Sequence, residues 1–271
     1  MEPGAIGHRA LASNLSDVAA MGARPLLATV ALGVPPQTSQ AWIIGCYRGM
    51  AALAAAHQTR IVGGDIVRAP ALTLSLTVVG EVSRSRLKRR DGGRPKDVIA
   101  VTGPLGLSRA GLELTRRPAL EVGEPARSRA LAAFATPQPR VREGRWLAAS
   151  VAVHAMMDLS DGLSTDLGRL ARASACGAVV DAIPTHPLAR AVAEAAGATP
   201  KHYALDGGED FELLVSVAPR AFSHLARRFA TRFARPLLAV GRLESELGVR
   251  LLEGGAVREL APSGYDHLAA M

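Results

Sequence analysis

The stretch Met157-Asp158-Leu159-Ser160-Asp161-Gly162-Leu163 decides how the rest of the chain is interpreted. Before it, an apolar run over residues 151–157, interrupted only by His154, predicts a buried strand. After it, leucines recur at helical spacing from Leu163 onward. The stretch therefore joins a strand end to a helix start, where unpaired backbone N–H groups and the helix dipole favour anions.

Asp158 and Asp161 are two carboxylates three residues apart, with no lysine or arginine between them. Such a pair repels itself unless a cation lies between its members. Hard oxygen ligands of this kind suit magnesium, which keeps several waters and binds through one or two carboxylates together with substrate phosphates. The alternative is an ordinary helix cap, because serine and aspartate are common capping residues. Alone, the stretch leaves both interpretations open.

The composition is that of a folded protein that suits phosphate ligands. The 271 residues are enough for one large domain or two ordinary ones, and 48% hydrophobic with 21% charged residues is typical of globular chains. A net charge of +8 permits an anionic partner. However, the arginines are scattered over most predicted helices and are not grouped with aromatic residues, which make up only 4% of the chain. We therefore expect no nucleic-acid partner.

The two cysteines and the N-terminal sequence bear on the compartment. Cys46 and Cys176 lie in apolar segments without a CxxC partner, which predicts reduced, buried thiols and a cytoplasmic protein. The N-terminus lacks the pattern of a signal peptide, and no apolar stretch reaches the roughly 18 residues of a membrane span. We expect no membrane association.

Acidic motifs recur along the chain. A helix predicted over residues 6–21 contains Asn14-Leu15-Ser16-Asp17, a near copy of Asp158-Leu159-Ser160-Asp161. Gly63-Gly64-Asp65 ends a short predicted strand, and Gly207-Gly208-Glu209-Asp210 precedes another. The distance from Asn14 to Gly63 is 49 positions, and so is the distance from Asp158 to Gly207. The repetition predicts two related half-domains that share a cation and phosphate site.

The densest basic run, residues 83–94, falls between the two halves and includes Arg90. It is either a solvated linker or a segment from which an arginine reaches a nucleotide phosphate, since the guanidinium fork suits phosphate. We place the boundary here, with half-domains over residues 1–83 and 84–271. The chain has no HxxxH or HExxH pair and no GxSxG elbow, which disfavours a zinc site and acyl transfer by a serine nucleophile.

Hydrophobic periodicity and capping residues predict most of the remaining elements. The predicted helices cover residues 39–57, 107–116, 125–135, 141–150, 187–196 and 219–229. The predicted strands cover residues 26–34, 60–65, 72–79, 97–102, 213–217 and 237–241, with a hairpin over 248–257. The helix after Leu163 is predicted to end at Cys176-Gly177, and residues 181–187 are predicted to form a loop.

Taken together, the motifs resemble the thiamine-monophosphate kinase family of the aminoimidazole ribonucleotide synthetase-like superfamily. The resemblance covers essentially the whole chain, and the order of the motifs is more specific than any one of them. It implies an α/β fold of two related half-domains, each a mixed sheet with flanking helices. The motifs that carry it are residues 14–23 (NLSDVAAMGA), Gly63-Gly64-Asp65, residues 158–163 (DLSDGL), residues 207–212 (GGEDFE) and Gly264-Tyr265-Asp266-His267.

The resemblance implies transfer of the ATP γ-phosphoryl group to the phosphate of thiamine monophosphate, with Mg²⁺ and without a phosphoenzyme. It needs no general base, because the acceptor phosphate is already ionised near neutral pH. By matched motif, the implied magnesium ligands are Asp17, Asp65, Asp158 and Asp161. The implied nucleotide contacts are Gly64, Asp65, Ser160 and Arg90, the last on the ATP phosphates. Glu209 is the implied contact to the thiamine moiety.

The chain departs from the family pattern in three places. Family members usually carry about sixty residues before the segment that matches Glu2-Pro3, enough for several strands. That segment supplies further magnesium ligands and the strands of a dimer interface. We therefore expect either a start codon placed too far downstream or a truncation, and a homodimer if the strands exist. Pro262-Ser263 replaces the aromatic residue that precedes Gly264, and Asp206 stands where a serine is common.

Two alternatives stay open beside the kinase. One is another ATP-using enzyme of the same superfamily, which would phosphorylate a different acceptor. The other is a truncated, inactive chain that binds nucleotide in the presence of magnesium without turnover.

Overall fold

The computed structural model describes residues 1–264, which form two β-sheets with helices packed against them. Tyr265, Asp266 and His267 of the C-terminal motif lie outside the described residues. In chain order the elements are α1 (Pro3–Ala20), β1 (Arg24–Val34), α2 (Gln40–Ala56), β2 (Arg60–Arg68), β3 (Thr73–Glu81), β4 (Val98–Val101), α3 (Leu107–Arg116), α4 (Glu124–Ala135), α5 (Val141–Ala148), β5 (Val153–Asp158), α6 (Leu163–Ala173), β6 (Gly177–Val180), α7 (Pro187–Ala195), α8 (Pro200–Asp206), β7 (Leu213–Val217), α9 (Pro219–Phe233), β8 (Leu238–Glu244), β9 (Val249–Glu253) and β10 (Ala256–Glu259).

The first sheet has three strands in the order β2-β1-β3. β1 runs parallel to β2, to which α2 connects it, and antiparallel to β3. α2 starts where the sequence predicts, because the Ser39 side chain accepts a hydrogen bond from the Trp42 backbone N at 3.1 Å. α1 packs against α2 and β3, so helices cover one face of this sheet.

The second sheet has seven strands in the order β10-β9-β6-β8-β4-β7-β5. Its neighbouring strands are antiparallel except for β6 and β9, which are parallel. Both sheets are therefore mixed, which confirms the α/β class with two mixed sheets. α6 packs against β5, β6 and β9, while α3, α4, α7 and α8 form a separate helical layer.

One apolar core joins the two sheets. Leu11 and Leu15 of α1 lie in the same buried cluster as Met156 of β5, Leu213 of β7 and Phe229 of α9. Each of these side chains is at most 2% exposed. Since α1 contacts β5, the last residues of β5 lie beside the C-terminal part of α1. This contact positions the candidate site.

Most predicted elements are present, with three differences. β6 and α8 were not predicted, because each is short and follows directly on other structure. The strand predicted to end at Gly63-Gly64 instead continues through them to Arg68. A Cβ atom on Gly64 would lie 1.8 Å from the Val30 carbonyl oxygen, so the glycine lets β1 and β2 approach.

The basic run between the sheets is anchored to the second sheet. Lys88 is only 7% exposed, and its ammonium group donates to the carbonyl oxygens of Ser150 and Val153 at 3.0 and 2.8 Å. Burial lowers the pKa of Lys88. The segment is therefore not the fully solvated linker that one interpretation predicts. Among residues 1–264, no helix is both long and apolar enough to cross a membrane.

Candidate active site

The joint between β5 and α6 is present as predicted, but its side chains do not cap the helix. β5 ends at Asp158, and the N-cap residue of α6 is Gly162, which has φ 107° and cannot cap with a side chain. Instead, fully buried Asp166 of α6 accepts hydrogen bonds from the backbone N of Ser160 and Asp161 at 3.0 and 2.9 Å. A side chain of the helix therefore binds the backbone of the loop, whereas a helix cap would have a loop side chain bind the backbone of the helix.

Asp158 lies in an environment that favours a nearby cation. It is 7% exposed, and its Oδ2 accepts a hydrogen bond from the Ser16 hydroxyl at 2.7 Å. Burial raises the pKa of Asp158 to about 7, with the charges of Asp17 and Asp166 adding to the shift and the hydrogen bond from Ser16 opposing it. A carboxyl group in this situation becomes a stable anion when a positive ion approaches it.

Asp17 lies close to this carboxyl group, and Arg90 lies close to Asp17. Asp17, on α1, reaches solvent, yet partial desolvation by the protein around it raises the pKa of its carboxyl group, with the positive charge of Arg90 opposing the shift. The Arg90 side chain is exposed, while its backbone oxygen accepts a hydrogen bond from the Ser174 hydroxyl at 2.9 Å. The structure therefore brings together Asp17 and Asp158, with Arg90 near Asp17.

Asp161 and Asp65 are placed differently. The Asp161 carboxylate pairs with Arg169, which also donates to Asp166 at 2.9 Å. The hydrogen bond with Asp161 raises the pKa of the Arg169 guanidinium. Asp65 is exposed on β2, next to Gly64, and its Oδ1 accepts from the neighbouring Ile66 backbone N at 2.9 Å.

The four predicted ligands are not assembled around one point. In the part of the chain that the structure describes, no three histidine, cysteine, aspartate or glutamate side chains are close enough to hold a metal ion. The fit to Mg²⁺ therefore rests on the carboxyl groups of Asp158 and Asp17, which lie near each other. Carboxylates are the ligands magnesium prefers, and it binds through one or two of them.

A cleft of about 900 Å³ lies beside the joint. Its walls include Ser160 and Asp161, the loop over residues 206–209, Ser13 of α1, and Ser263 near the C-terminus. The two loops are tied together, because the Glu209 backbone N donates to the Ser160 carbonyl oxygen at 2.7 Å. Glu209 has φ 57°, in the left-handed region that non-glycine residues seldom adopt.

The acidic and basic side chains of the cleft suit a ligand that carries both kinds of charge. The Glu209 carboxylate, which lines the cleft, pairs with Arg9 of α1. Arg109 and Arg116 of α3, together with His202, also line the cleft. Guanidinium groups are suited to phosphate, and a carboxylate is suited to a cationic ring.

Asp210 and Glu212, the last two acidic residues of the GGEDFE stretch, form hydrogen bonds inside the protein. Glu212 is 4% exposed and receives hydrogen bonds from Arg140 at 2.7 Å, Arg235 at 2.6 Å and Thr102 at 2.6 Å. Burial alone would raise the pKa of Glu212, but the two guanidinium groups lower it below its usual value. Asp210 accepts from the backbone N of Gly106 at 2.7 Å, at the start of α3, and desolvation raises the pKa of Asp210 to about 7.

Comparisons with known proteins place the whole chain in one family. Residues 1–82 match the model of the AIR synthase related protein, N-terminal domain, and residues 94–230 match that of the C-terminal domain. The thiamine-monophosphate kinase of Salmonella typhimurium is 34% identical over 276 aligned positions, which cover 99% of this chain and 82% of that protein. The chain belongs to the thiamine-monophosphate kinase family.

Two further comparisons agree with this family assignment. The thiamine-monophosphate kinase of Synechococcus elongatus is 39% identical over 227 positions, which cover 80% of this chain and 66% of that protein. The solved structure of AaThiL complexed with AMPPCP and TMP superposes with a TM-score of 0.86 at 29% identity, covering 99% of this chain and 82% of that one. The likeness to thiamine-monophosphate kinases therefore extends over both sheets.

Sequence reasoning missed three side chains of the candidate site. Ser16 holds Asp158, Asp166 holds the loop, and Arg9 pairs with Glu209. Two of them had a signal in the sequence. Ser16 and Asp166 each occupy an apolar helix face, Asp166 among the leucines that follow Leu163, and a polar residue at such a position needs a partner. Arg9 had none, because its partner is 200 positions away.

Proposed function

We propose that this chain transfers the γ-phosphoryl group of ATP to the phosphate of thiamine monophosphate. The bond from the γ-phosphorus to the β,γ-bridging oxygen breaks, a bond to an oxygen of the acceptor phosphate forms, and ADP and thiamine diphosphate leave. The observation that carries the proposal is the cleft, because Ser160 and Asp161 come from one motif and Glu209 from another, and all three line one space beside α1. Family membership supports it, and so does the related AaThiL structure complexed with AMPPCP and TMP.

We infer that Asp158 and Asp17 hold Mg²⁺ and that Asp161 and Asp65 join them when nucleotide is present. The raised pKa values of Asp158 and Asp17 support this assignment, since both carboxyl groups gain from an added positive charge. When bound, magnesium neutralises phosphate charge and aligns the two reacting phosphates. Asp161 becomes available to it only when its pairing with Arg169 opens.

The remaining predicted residues would bind and orient the two substrates. Arg90 lies near Asp17, and its guanidinium group would bind the ATP phosphates. Ser160, with Gly64 and Asp65, would face the nucleotide. Glu209 would contact the thiamine moiety, with its carboxylate near the cationic ring. The acceptor phosphate is ionised near neutral pH, so positioning and charge neutralisation perform the reaction without a general base.

The test is thiamine diphosphate formation from thiamine monophosphate and Mg·ATP by this chain. Asp158→Asn is expected to reduce turnover at least a hundredfold while the far-ultraviolet circular dichroism spectrum stays unchanged. Asp181→Asn, an exposed aspartate outside the cleft, is the matched control and should retain full activity. Inactivity of the parent with thiamine monophosphate, but ATP consumption with another phosphate acceptor, would favour a different enzyme of the superfamily. Magnesium-dependent ATP binding without any turnover would favour a binding chain.

We also propose a homodimer through the first sheet. Val62, Ile66 and Val67 of the edge strand β2, with Val79 of the other edge strand β3, are 45–50% exposed, and exposed apolar side chains of this kind are typical of a protein interface. Light scattering on the parent and on Ile66→Lys tests this. A dimer mass that the variant reduces to a monomer mass supports the proposal, whereas a monomer mass for the parent contradicts it.

We further propose a cytoplasmic location. Cys46 and Cys176 are both buried free thiols, which agrees with a reducing compartment. Labelling of intact cells with a membrane-impermeant thiol or amine reagent should leave the protein unmodified.

A further inference from the structure

The side chains of Asp206 and Ser263 lie in contact with each other. Asp206 is the last residue of α8, and its Oδ1 accepts a hydrogen bond from the Ser263 hydroxyl at 2.6 Å. The same oxygen accepts from the hydroxyl of fully buried Ser164, in the first turn of α6, at 2.7 Å. One carboxylate thus joins α8, α6 and the C-terminal segment.

The C-terminal segment, residues 261–264, is held at both ends. At its start, the Leu260 backbone N donates to the Val249 carbonyl oxygen at 2.8 Å. At its end, the Gly264 backbone N donates to the Thr165 hydroxyl at 3.2 Å. A Cβ atom on Gly264 would lie 2.1 Å from the Asp161 carbonyl oxygen, so the segment rests directly on the loop between β5 and α6.

The segment and the carboxylate both line the cleft. Asp206, Ser263 and Gly264 form part of its wall, on the same side as Glu209. The loop between β5 and α6 also packs against the end of α8, because a Cβ atom on Gly162 would lie 3.0 Å from the Cα atom of Asp206. Removal of the Ser263 hydroxyl therefore changes the wall of the cleft without touching the carboxylates near Asp158.

We propose that Asp206 is a positioning residue that holds residues 261–264 as a wall of the acceptor side of the cleft, through its hydrogen bonds from Ser263 and Ser164. This inference rests on the proposed kinase function. In this role Asp206 sets the affinity for the phosphate acceptor and leaves the affinity for ATP and the phosphoryl transfer step unchanged.

Kinetics on the full-length chain test the proposal. Ser263→Ala removes one donor to Asp206 and is expected to raise the KM for thiamine monophosphate about threefold to tenfold, the range for a partly exposed hydrogen bond to a charged group. The KM for ATP and kcat should stay within about twofold. Ser263→Thr keeps the hydroxyl and should restore the parent KM. Ser128→Ala, which removes an exposed hydroxyl on α4, is the matched control and should leave all three values unchanged.

Hydrogen exchange separates this proposal from the kinase function. In the substrate-free protein, Ser263→Ala should speed amide exchange at Gly264, whereas Ser128→Ala should not. Faster exchange with an unchanged acceptor KM would show that the segment does not control the cleft and would overturn the proposal. An unchanged KM and exchange rate in Ser263→Ala, with a large loss of affinity in Asp206→Asn, would mean that Asp206 contacts the substrate directly, and would also overturn it. If the parent lacks kinase activity, the exchange data still decide whether Asp206 holds the segment.

Discussion

The two sheets differ most in how much of each is covered. In the seven-stranded sheet, every residue of β6 and β7 is buried. In the three-stranded sheet, every residue of β2 except Ile61 is exposed. The strands of both sheets are rich in valine, isoleucine or leucine, so amino-acid composition does not explain the difference in exposure. The second sheet is covered by its own layers except at its edge hairpin β9–β10, whereas the exposed strand β2 of the first sheet offers a surface for another protein.

The largest effect should come from the buried ion cluster next to the second sheet. Glu212→Ala leaves the guanidinium groups of Arg140 and Arg235 without their buried partner, which costs about 3–5 kcal/mol of unfolding free energy. The control is Glu81→Ala. Glu81 lies on β3 and forms an exposed ion pair with Arg24 of β1, so its removal should cost less than about 1 kcal/mol. Urea denaturation of both variants measures the difference. Equal midpoints would mean that the two sheets do not differ in this respect.

A matched pair of apolar truncations tests the contrast directly. Leu214→Ala, in fully buried β7, should cost about 2–5 kcal/mol because it leaves a cavity. Ile66→Ala, at a side chain 49% exposed in β2, should cost less than about 1 kcal/mol at low protein concentration. The measurement is denaturant unfolding at several protein concentrations. A cost for Ile66→Ala that grows with concentration would show that a second copy covers this face.

The pH dependence of stability should also be concentrated in the second half. Desolvation raises the pKa of Asp210 to about 7, far above its unfolded value of 3.8, so the folded state binds a proton more tightly than the unfolded state. Stability from this group is fully present below about pH 4 and is lost as the pH rises through 7. Relative to the parent, Asp210→Asn should therefore gain about 1–3 kcal/mol between pH 4 and 7. A flat difference across this range would contradict the raised pKa.

The smallest effect should come from the contact between the two regions. Ser16→Ala removes the hydroxyl that donates to buried Asp158, and we expect a loss of about 1–2 kcal/mol. Ser13→Ala, on the same helix, removes a hydrogen bond to the Ala10 carbonyl oxygen and a long one from the Asn14 side chain, and should cost less than about 0.5 kcal/mol. Thermal unfolding of both variants provides the comparison. Equal costs would mean that the Ser16 contact does not connect the halves energetically.

The sequence predicted elements whose signals are local. Ser39 is a standard capping residue before an apolar helix, and the structure has it in that role. The joint between β5 and α6 was also predicted, because an apolar run met a leucine-spaced helix. β6 was missed because Gly177 and Ala178 carry weak strand preference and the strand is formed by pairing with β8 and β9, more than 60 positions away.

The sequence predicted which residues belong to the candidate site better than it predicted how they are arranged. Asp17 and Asp158 lie together, but the equal 49-position separations do not reflect equal local structure. Asn14 and Asp17 are within α1, whereas Asp158 ends a strand. Partners such as Arg169 and Arg9 follow from how distant segments pack, which no local pattern encodes. The division at residues 83 and 84 and the ligand roles stay predictions.

The shared core has a consequence for how the chain is made on the ribosome. Leu11 and Leu15 of α1 belong to the same buried cluster as Phe229, so the core around the first helix is completed only after more than two hundred later residues, although α2 and β3 follow it directly. At about 5–20 residues per second, that interval is on the order of ten seconds or more. Throughout it, the nascent chain leaves part of this apolar cluster uncovered. Newly made chains should therefore depend on a holding chaperone far more than the finished protein does.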